Sequence, residues 1–421
     1  MRHHLPHQIS HIYLHKGLSV PSLTTHNQGN YLVFWWHDKA LGHVFITPQL
    51  YLTETSYHDR LIETISPAIA YYEHQGKMSP VAWKEWISQK DFHALEIWLN
   101  NLFPPVSQDA IPDRVPIAAV ICTRDRPAQL QNCLRMLLSL SCHPQEIIVV
   151  DNAPSNNASS EVVKQFGGVS YIKEPRPGLD IARNTGAREA QAPVVAYIDD
   201  DVTVHPLWAY QVWKTFQDSG IAAMTGLVIA TELKTEAQFI FEKHWSFNRG
   251  YTDIYYTPDF IQHTLSQGPP VWVIGAGASM AFRKAIFEQV GYFDELLDVG
   301  AAGCSGDSEM WYRILIRGYT IHYNPRAVAF HKHRREIEGL KKQIFYYMRG
   351  HAAAAMIQQR QHKAGYMRHL FWRLPKQYAK LLKSGFPNYR YRHKTLFVEI
   401  LGVLSGLNYY FKNRQHSRQK V

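Results

Sequence analysis

A short apolar run that ends in polar or acidic residues recurs through the middle of this chain, and this recurrence restricts the fold more than any other feature. Residues 117–122 lead into Thr123-Arg124-Asp125-Arg126, residues 146–150 into Asp151, and residues 193–198 into Asp199-Asp200-Asp201. Each run is too short for a helix and continuous enough for a strand buried on both faces. Helical patterns near 127–137, 159–166 and 179–190 separate them, with a further strand at 169–173. Strands alternating with helices predict a parallel sheet covered by helices, an α/β fold that binds ligands beyond the carboxyl ends of its strands. Asp151, the acidic triplet and the Thr123 segment all fall at such ends, so their acidic, basic and hydroxyl groups converge if the order is parallel.

The 421 residues exceed what one core normally accommodates, and two or three units are expected. Residues 1–110 read as an accessory module, with aromatic and mixed segments at 31–36 and 43–46 and a helix through Trp83, Trp86, Leu95 and Trp98. Pro104, Pro105, Pro112 and Pro116 mark a linker. The α/β core then occupies 111–335, and 336–421 form a basic, mainly helical extension.

Charge separates these parts sharply. Residues 326–421 hold 21 Lys or Arg against three acids, a net of +18, so the total of +10 leaves −8 for the other 325 residues. Apolar groups interleave with the basic ones around Phe371-Trp372, Leu381-Leu382 and 396–411. That mixture fits an anionic membrane surface at least as well as a solvated basic face, and nucleic acid is not an expected partner. A long helix is expected from 336 to 361, and the stretch 396–411 is shorter than the ~20 apolar residues of a membrane span. Peripheral association is therefore favoured over insertion, with core packing the competing reading. Four cysteines at unrelated spacings and the lack of an apolar leader with a small-residue cleavage site point to a cytoplasmic protein, peripheral at most at the cytoplasmic face of a membrane.

The triplet calls for a hard divalent cation, Mg²⁺ or Mn²⁺, which prefers oxygen ligands and keeps positions open for phosphate oxygens. Asp199 and Asp201 are the expected metal-facing pair, since alternate residues of an extended segment share a side, leaving Asp200 to bond a sugar or brace the backbone. An exposed acidic turn is the alternative. Gly178 to Gly186 opens a helix whose first turn could bring Arg183 to a phosphate, although a turn glycine and a surface ion pair would also explain it. Gly277 either lets a substrate approach the backbone or permits tight packing. The small-residue loop 300–306 leaves Asp307 accessible at a helix start, as a general base or as an N-cap. His331 and His333 follow a strand-like run at 327–330; His331 or His333 would complete a metal shell or bind diphosphate, or both belong to a basic turn. The additional Cys or His ligands of a zinc site are missing.

Taken together, Thr123-Arg124-Asp125-Arg126, Val150-Asp151-Asn152, Ala182-Arg183-Asn184 and Asp199-Asp200-Asp201 give residues 116–335 a pattern that resembles a family 2 glycosyltransferase with the nucleotide-diphospho-sugar-binding GT-A fold. The resemblance implies a donor site of Thr123, Arg124, Asp125, Asp151, Arg183, Asp199 and Asp200, of which Thr123, Arg124 and Asp151 meet the base or ribose. It implies Asp201 as the leading metal ligand with Asp199 nearby, to which His331 is added as the third candidate ligand, and Asp307 as the base of an inverting sugar transfer. The donor would be a nucleoside-diphosphate sugar, UDP by default with GDP and dTDP open, and the acceptor a glycan or lipid-linked hydroxyl. One departure stands out: the family loop often reads Gly-Glu-Asp, whereas this chain has Ser305-Gly306-Asp307. Two other readings remain, a sugar-nucleotide nucleotidyltransferase that releases pyrophosphate and a non-catalytic sugar-nucleotide-binding protein.

Overall fold

The computed structural model describes residues 5–23, 27–47, 52–79 and 81–415. Its first unit is a three-stranded sheet of β1 (His7–Tyr13), β2 (Gly29–Trp36) and β3 (Lys39–Ile46), with β1 parallel and β3 antiparallel to the central β2. Every residue of β2 is buried, and its period-two alternation sorts the side chains to two cores. Leu32, Phe34 and Trp36 pack on the helices α1 (Glu54–Gln75), α2 (Trp83–Gln89) and α3 (Phe92–Leu102). Tyr31, Val33 and Trp35 face the main core instead. The single helix expected through Trp83 and Trp98 is two helices: Lys90 turns left-handed at φ 62°, and Asp91 caps the next segment by accepting from Ala94 N at 3.1 Å.

The central unit alternates as the sequence predicts. It runs β4 (Arg114–Thr123), α4 (Pro127–Leu138), β5 (His143–Asn152), α5 (Ala158–Val163), β6 (Val169–Glu174), α6 (Leu179–Glu189) and β7 (Val194–Asp199). There follow β8 (Val202–Val204), α7 (Trp208–Thr215), β9 (Ile221–Ala230), α8 (Glu236–His244), β10 (Ile254–Tyr256), α9 (Pro258–Thr264) and β11 (Ser279–Arg283). The unit closes with α10 (Ile286–Val290), α11 (Gly306–Ile316) and β12 (Thr320–His331). In the sheet the strands lie in the order β6-β5-β4-β7-β11-β9-β12-β10, with β8 beside β12. The four strands β6, β5, β4 and β7 are parallel; β11 runs antiparallel between β7 and β9, and β12 is parallel to β9. β9 is buried along its whole length, an apolar run in the middle of the sheet with helices on both sides.

Register fixes what meets at the carboxyl edge. Thr123 stands opposite Asp151, and Cys122 opposite Asp199, so the ends of β4, β5 and β7 form one row. β11 enters from that same edge, with Ser279 paired to Ile198, and β8 carries the chain back so that Val202 pairs with His331.

The basic extension is helical: α12 (Ile337–His362), α13 (Tyr366–Arg368) running through a π turn into α14 (Leu374–Gly385), and α15 (Leu396–Asn413). α12 packs into the main core through Ala352, Ala353, Ala355 and Ile357. Arg418 and Lys420 of the basic tail lie outside the described residues.

Candidate active site

The acidic triplet straddles the end of β7. Asp199 is its last strand residue, and Asp200 and Asp201 sit in the turn that follows. This turn breaks the simple alternation expected of Asp199 and Asp201. The consecutive carboxylates of Asp200 and Asp201 instead share one guanidinium: Arg126 meets Asp200 Oδ1 and Asp201 Oδ2, each at 2.6 Å. Thr123 Oγ1 donates to Asp200 Oδ2 at 2.7 Å, which ties β4 to the triplet. Burial raises Asp200 to about 6 against the pull of Thr123 and Arg126, whereas Asp201, also desolvated, is held below its usual range by Arg126. Asp199 is pushed up to about 7, chiefly by desolvation and only partly offset by Arg183.

A chain of hydrogen bonds approaches Asp201 from the other side. Tyr31 OH donates to Glu242 Oε1 at 3.0 Å, Glu242 Oε2 lies 2.8 Å from His333 Nε2, and His333 Nδ1 lies 3.0 Å from His331 Nδ1. Burial, reinforced by His333, lowers His331 to about 4, so its ring is neutral near pH 7. A carboxylate only accepts, which puts a proton on His333 Nε2. Where His333 Nδ1 accepts, His331 donates from Nδ1 and keeps a lone pair on its Nε2.

A second cluster centres on Arg183, which is buried on α6. Its Nη1 donates to Asp180 Oδ1 at 2.9 Å and to Asp298 Oδ2 at 2.7 Å, while the guanidinium lies 5.6 Å from the Phe293 ring centre. Its carbonyl oxygen accepts from Tyr197 OH at 3.0 Å, so α6 is pinned to β7 at this point. Asp307 lies close by: a Cβ placed at Gly277 would be 2.8 Å from Arg183 Nη2 and 3.6 Å from Asp307 Oδ2. Both oxygens of Asp307 accept backbone protons, Oδ2 from Gly277 N at 2.9 Å and Oδ1 from Ser308 N at 2.7 Å. Asp307 is not the N-cap considered from the sequence. Ser305 holds that position, at φ 78°, and Asp307 lies within the first turn of α11. Desolvation, with Asp298 adding to it, raises the Asp307 pKa despite Arg183 and the two N–H groups, which suits a proton acceptor.

The nucleoside-side candidates lie along β4 and β5. Asp151 is fully buried and its Oδ2 accepts from Tyr171 OH at 2.9 Å. Asp125, at φ 54°, takes Ser155 N and Ser155 Oγ on Oδ1, both at 2.8 Å. Arg124 is half exposed beside Asp125 at 3.9 Å. The structure thus joins Thr123, Asp200 and Asp201 through one hydrogen bond and Arg126, and sets Arg183 near Asp307, with Asp151 and Asp199 in the strand-end row; His331 pairs along the backbone with Val202, and among the described residues it does not form a three-residue metal cluster with Asp199 and Asp201.

Sequence reasoning passed over Arg126, Asp180, Asp298 and Glu242. Arg126 was within reach as the last residue of the first motif, and Asp180 lies in the glycine-bounded segment that carries Arg183. Nothing local marks Asp298 or Glu242.

Residues 118–291, spanning β4 to the end of α10, match the family model described as glycosyl transferase family 2. That segment, less than half of the chain, is of the glycosyl transferase family 2 type. Its family 2 core is GT-A-like, a mostly parallel sheet flanked by helices with N- and C-terminal additions. Among curated proteins it is 24% identical over 238 residues to the pre-mycofactocin glycosyltransferase of Mycobacterium tuberculosis, covering 56% of this chain and 47% of that one. It is 23% identical over 252 residues to the glucosyl-dolichyl phosphate glucuronosyltransferase of Haloferax volcanii, covering 55% of this chain and 74% of the relative. The chain thus spans about half the length of the mycobacterial relative. Among solved structures, the mannosyltransferase PcManGT from Pyrobaculum calidifontis, in complex with GDP-Man and Mn²⁺, superposes with a TM-score of 0.47 at 17% identity, covering 75% of this chain and 94% of that one.

Proposed function

We propose that this family 2 protein transfers a sugar, with inversion, from a nucleoside-diphosphate sugar to a hydroxyl of a glycan or lipid-linked acceptor. The observation that carries this reading is the Asp307 carboxylate, fixed by Gly277 N and Ser308 N beside the Arg183 cluster at the edge where β4, β5 and β7 end. A raised pKa lets Asp307 accept the acceptor's proton as its oxygen attacks the anomeric carbon. Thr123, Arg124, Asp125 and Asp151 line the end where a base and ribose would bind, and UDP is the expected nucleotide. Arg183 and Asp199 would face the sugar diphosphate.

The donor set suits Mn²⁺ or Mg²⁺. Asp199 and Asp201 offer carboxylate oxygens and His331 a neutral imidazole, although among the described residues no three His, Cys, Asp or Glu side chains lie together as a metal site. Hard cations in phosphate sites are commonly held by one or two carboxylates with phosphate oxygens supplying the rest. When bound, such an ion offsets charge on the leaving diphosphate. Arg126 sets its single positive charge between Asp200 and Asp201 and keeps the triplet compact.

Incubating the protein with a panel of nucleotide-sugars and Mn²⁺ or Mg²⁺, and detecting released nucleoside diphosphate, tests this reading. Diphosphate release from one donor is the expected result. Pyrophosphate released from a nucleoside triphosphate would replace it with nucleotidyl transfer, and binding without turnover would leave only a sensor.

A further inference from the structure

We propose that α15, with the adjoining end of α14, is a docking surface for an anionic lipid bilayer. The outward face of α15 is apolar where a helix on a globular protein is normally polar. Phe397, Leu401, Leu404 and Phe411 are 56%, 56%, 59% and 53% exposed, and at helical spacing they fall in one narrow stripe interrupted only by Asn408. The opposite face is committed elsewhere. A Cβ at Gly402 would meet Phe345 O at 2.5 Å, and one at Gly406 would meet Arg349 O at 2.2 Å, so α15 lies against α12 too closely to rotate. Glu399, on the buried side, is clasped by Arg392 and by Thr395 Oγ1 at 2.7 Å. The stripe is therefore held outward by the fold.

The surface continues onto the neighbouring segment. The Tyr389 ring lies 5.8 Å from that of Phe397, and Phe386, in the same loop, is 75% exposed. In the π turn that leads into α14, the exposed Trp372 carries Lys376 of α14 over its ring at 4.4 Å. Lys376, Lys380, Lys383 and Lys412 are exposed and form no ion pair with a described acidic residue. An outward apolar stripe, with a tryptophan and exposed lysines without ion pairs on the neighbouring helical segment, matches the boundary between acyl chains and anionic headgroups. A second copy of the chain fits poorly, because it would bring the same lysines together. No helix among the described residues is long and apolar enough to cross a membrane, so contact lies in the plane of the surface.

The inference does not depend on the transferase reading, and its test reads lipid binding alone. The full chain is floated with vesicles of phosphatidylcholine mixed with phosphatidylglycerol, and with vesicles of phosphatidylcholine alone. Wild type should float with the anionic vesicles only, and less so as salt rises. The Leu401→Asp, Leu404→Asp double variant, with its melting temperature unchanged because both sites are exposed, should lose about tenfold or more in partitioning. Lys376→Gln, Lys380→Gln and Lys383→Gln should each cost about fivefold, the equivalent of ~1 kcal/mol per cation at the surface. No flotation with anionic vesicles, or equal flotation of wild type and the Asp variant, would overturn the proposal. So would a lipid-free dimer in light scattering that the Asp variant abolishes.

Discussion

A Cβ atom at Gly306 would lie 2.0 Å from Oδ2 of Asp180. The carboxyl group of Asp180, reaching over from α6, fills the space at the start of α11 that a side chain at 306 would claim. This gives the departure from the Gly-Glu-Asp loop a physical reason: the acid next to Asp307 comes from a different helix. Burial, together with Asp298, raises Asp180 well above its usual range, and its Oδ1 still accepts from Arg183 at 2.9 Å. Gly306→Glu alone should destabilise the protein by about 1–3 kcal/mol through overpacking. Adding Asp180→Gly should recover part of that loss, with a coupling energy of about 0.5–3 kcal/mol in a double-mutant cycle read by denaturant unfolding. Strict additivity of the two changes would mean the contact carries no energy.

Asp307→Asn keeps the shape of the side chain and removes its basicity. The amide oxygen can still accept from Gly277 N or Ser308 N, so the loop should hold. Donor binding, followed by calorimetry, should stay within about twofold, while kcat should fall by roughly 10²–10⁴, the usual contribution of a positioned base. Full turnover in this variant would remove Asp307 from the proton transfer.

Glu242 is expected to act at a distance, through the two histidines. As the acceptor for His333 Nε2 it sets the order of protons that leaves the His331 Nε2 lone pair exposed. Glu242→Gln can donate in place of accepting, and that reversal would put a proton on the ligating nitrogen. Mn²⁺-dependent nucleotide binding should weaken by about 10–100-fold, as found when partners of metal ligands are changed. Nucleotide binding measured without metal should hardly move. Loss of both equally would indicate general damage to the fold rather than a role in orienting His331.

The contrast between Glu242 and Asp151 shows what the sequence could disclose. Asp151 directly follows an apolar strand, and parallel pairing places every such strand end on one edge, so its position opposite Thr123 was legible. Glu242 sits in the last turn of α8 with no local signal, and its partners come from β2 and from the segment that follows β12. Asp298 likewise meets Arg183 only after the chain has crossed the sheet. The outward stripe of α15 was visible as an apolar run, but its direction is decided by Gly402 and Gly406 against α12, a long-range contact. Local pattern identified the strands β4 to β7 and the long helix α12, and passed over the fully buried β9 and the 22-residue α1. It could not anticipate the αL turn at Lys90 that splits α2 from α3, nor the turn after Asp199 that sets Asp200 and Asp201 around Arg126.

Acid should loosen the segment leading to Arg183 before it unfolds the sheet. Glu174, at the end of β6, accepts from Arg176 N at 2.9 Å and Arg176 Nε at 3.1 Å on Oε1, and from Thr185 Oγ1 at 2.7 Å on Oε2. These bonds staple the loop before α6 to the helix itself. Burial opposes ionisation of Glu174, and the Arg176 and Thr185 bonds overcome it, bringing the pKa from 4.5 down to about 2. A carboxylate depressed in the folded state contributes stability that is fully present above its unfolded pKa and is lost as pH falls through the folded one. The window is therefore from about pH 4.5 down to about pH 2. Glu174→Gln should cost about 1–3 kcal/mol near neutral pH, and the gap between variant and wild type should close across that window. Urea unfolding at a series of pH values measures it, and a gap that stays constant down to the lowest pH would show that the Glu174 charge is not what holds the loop.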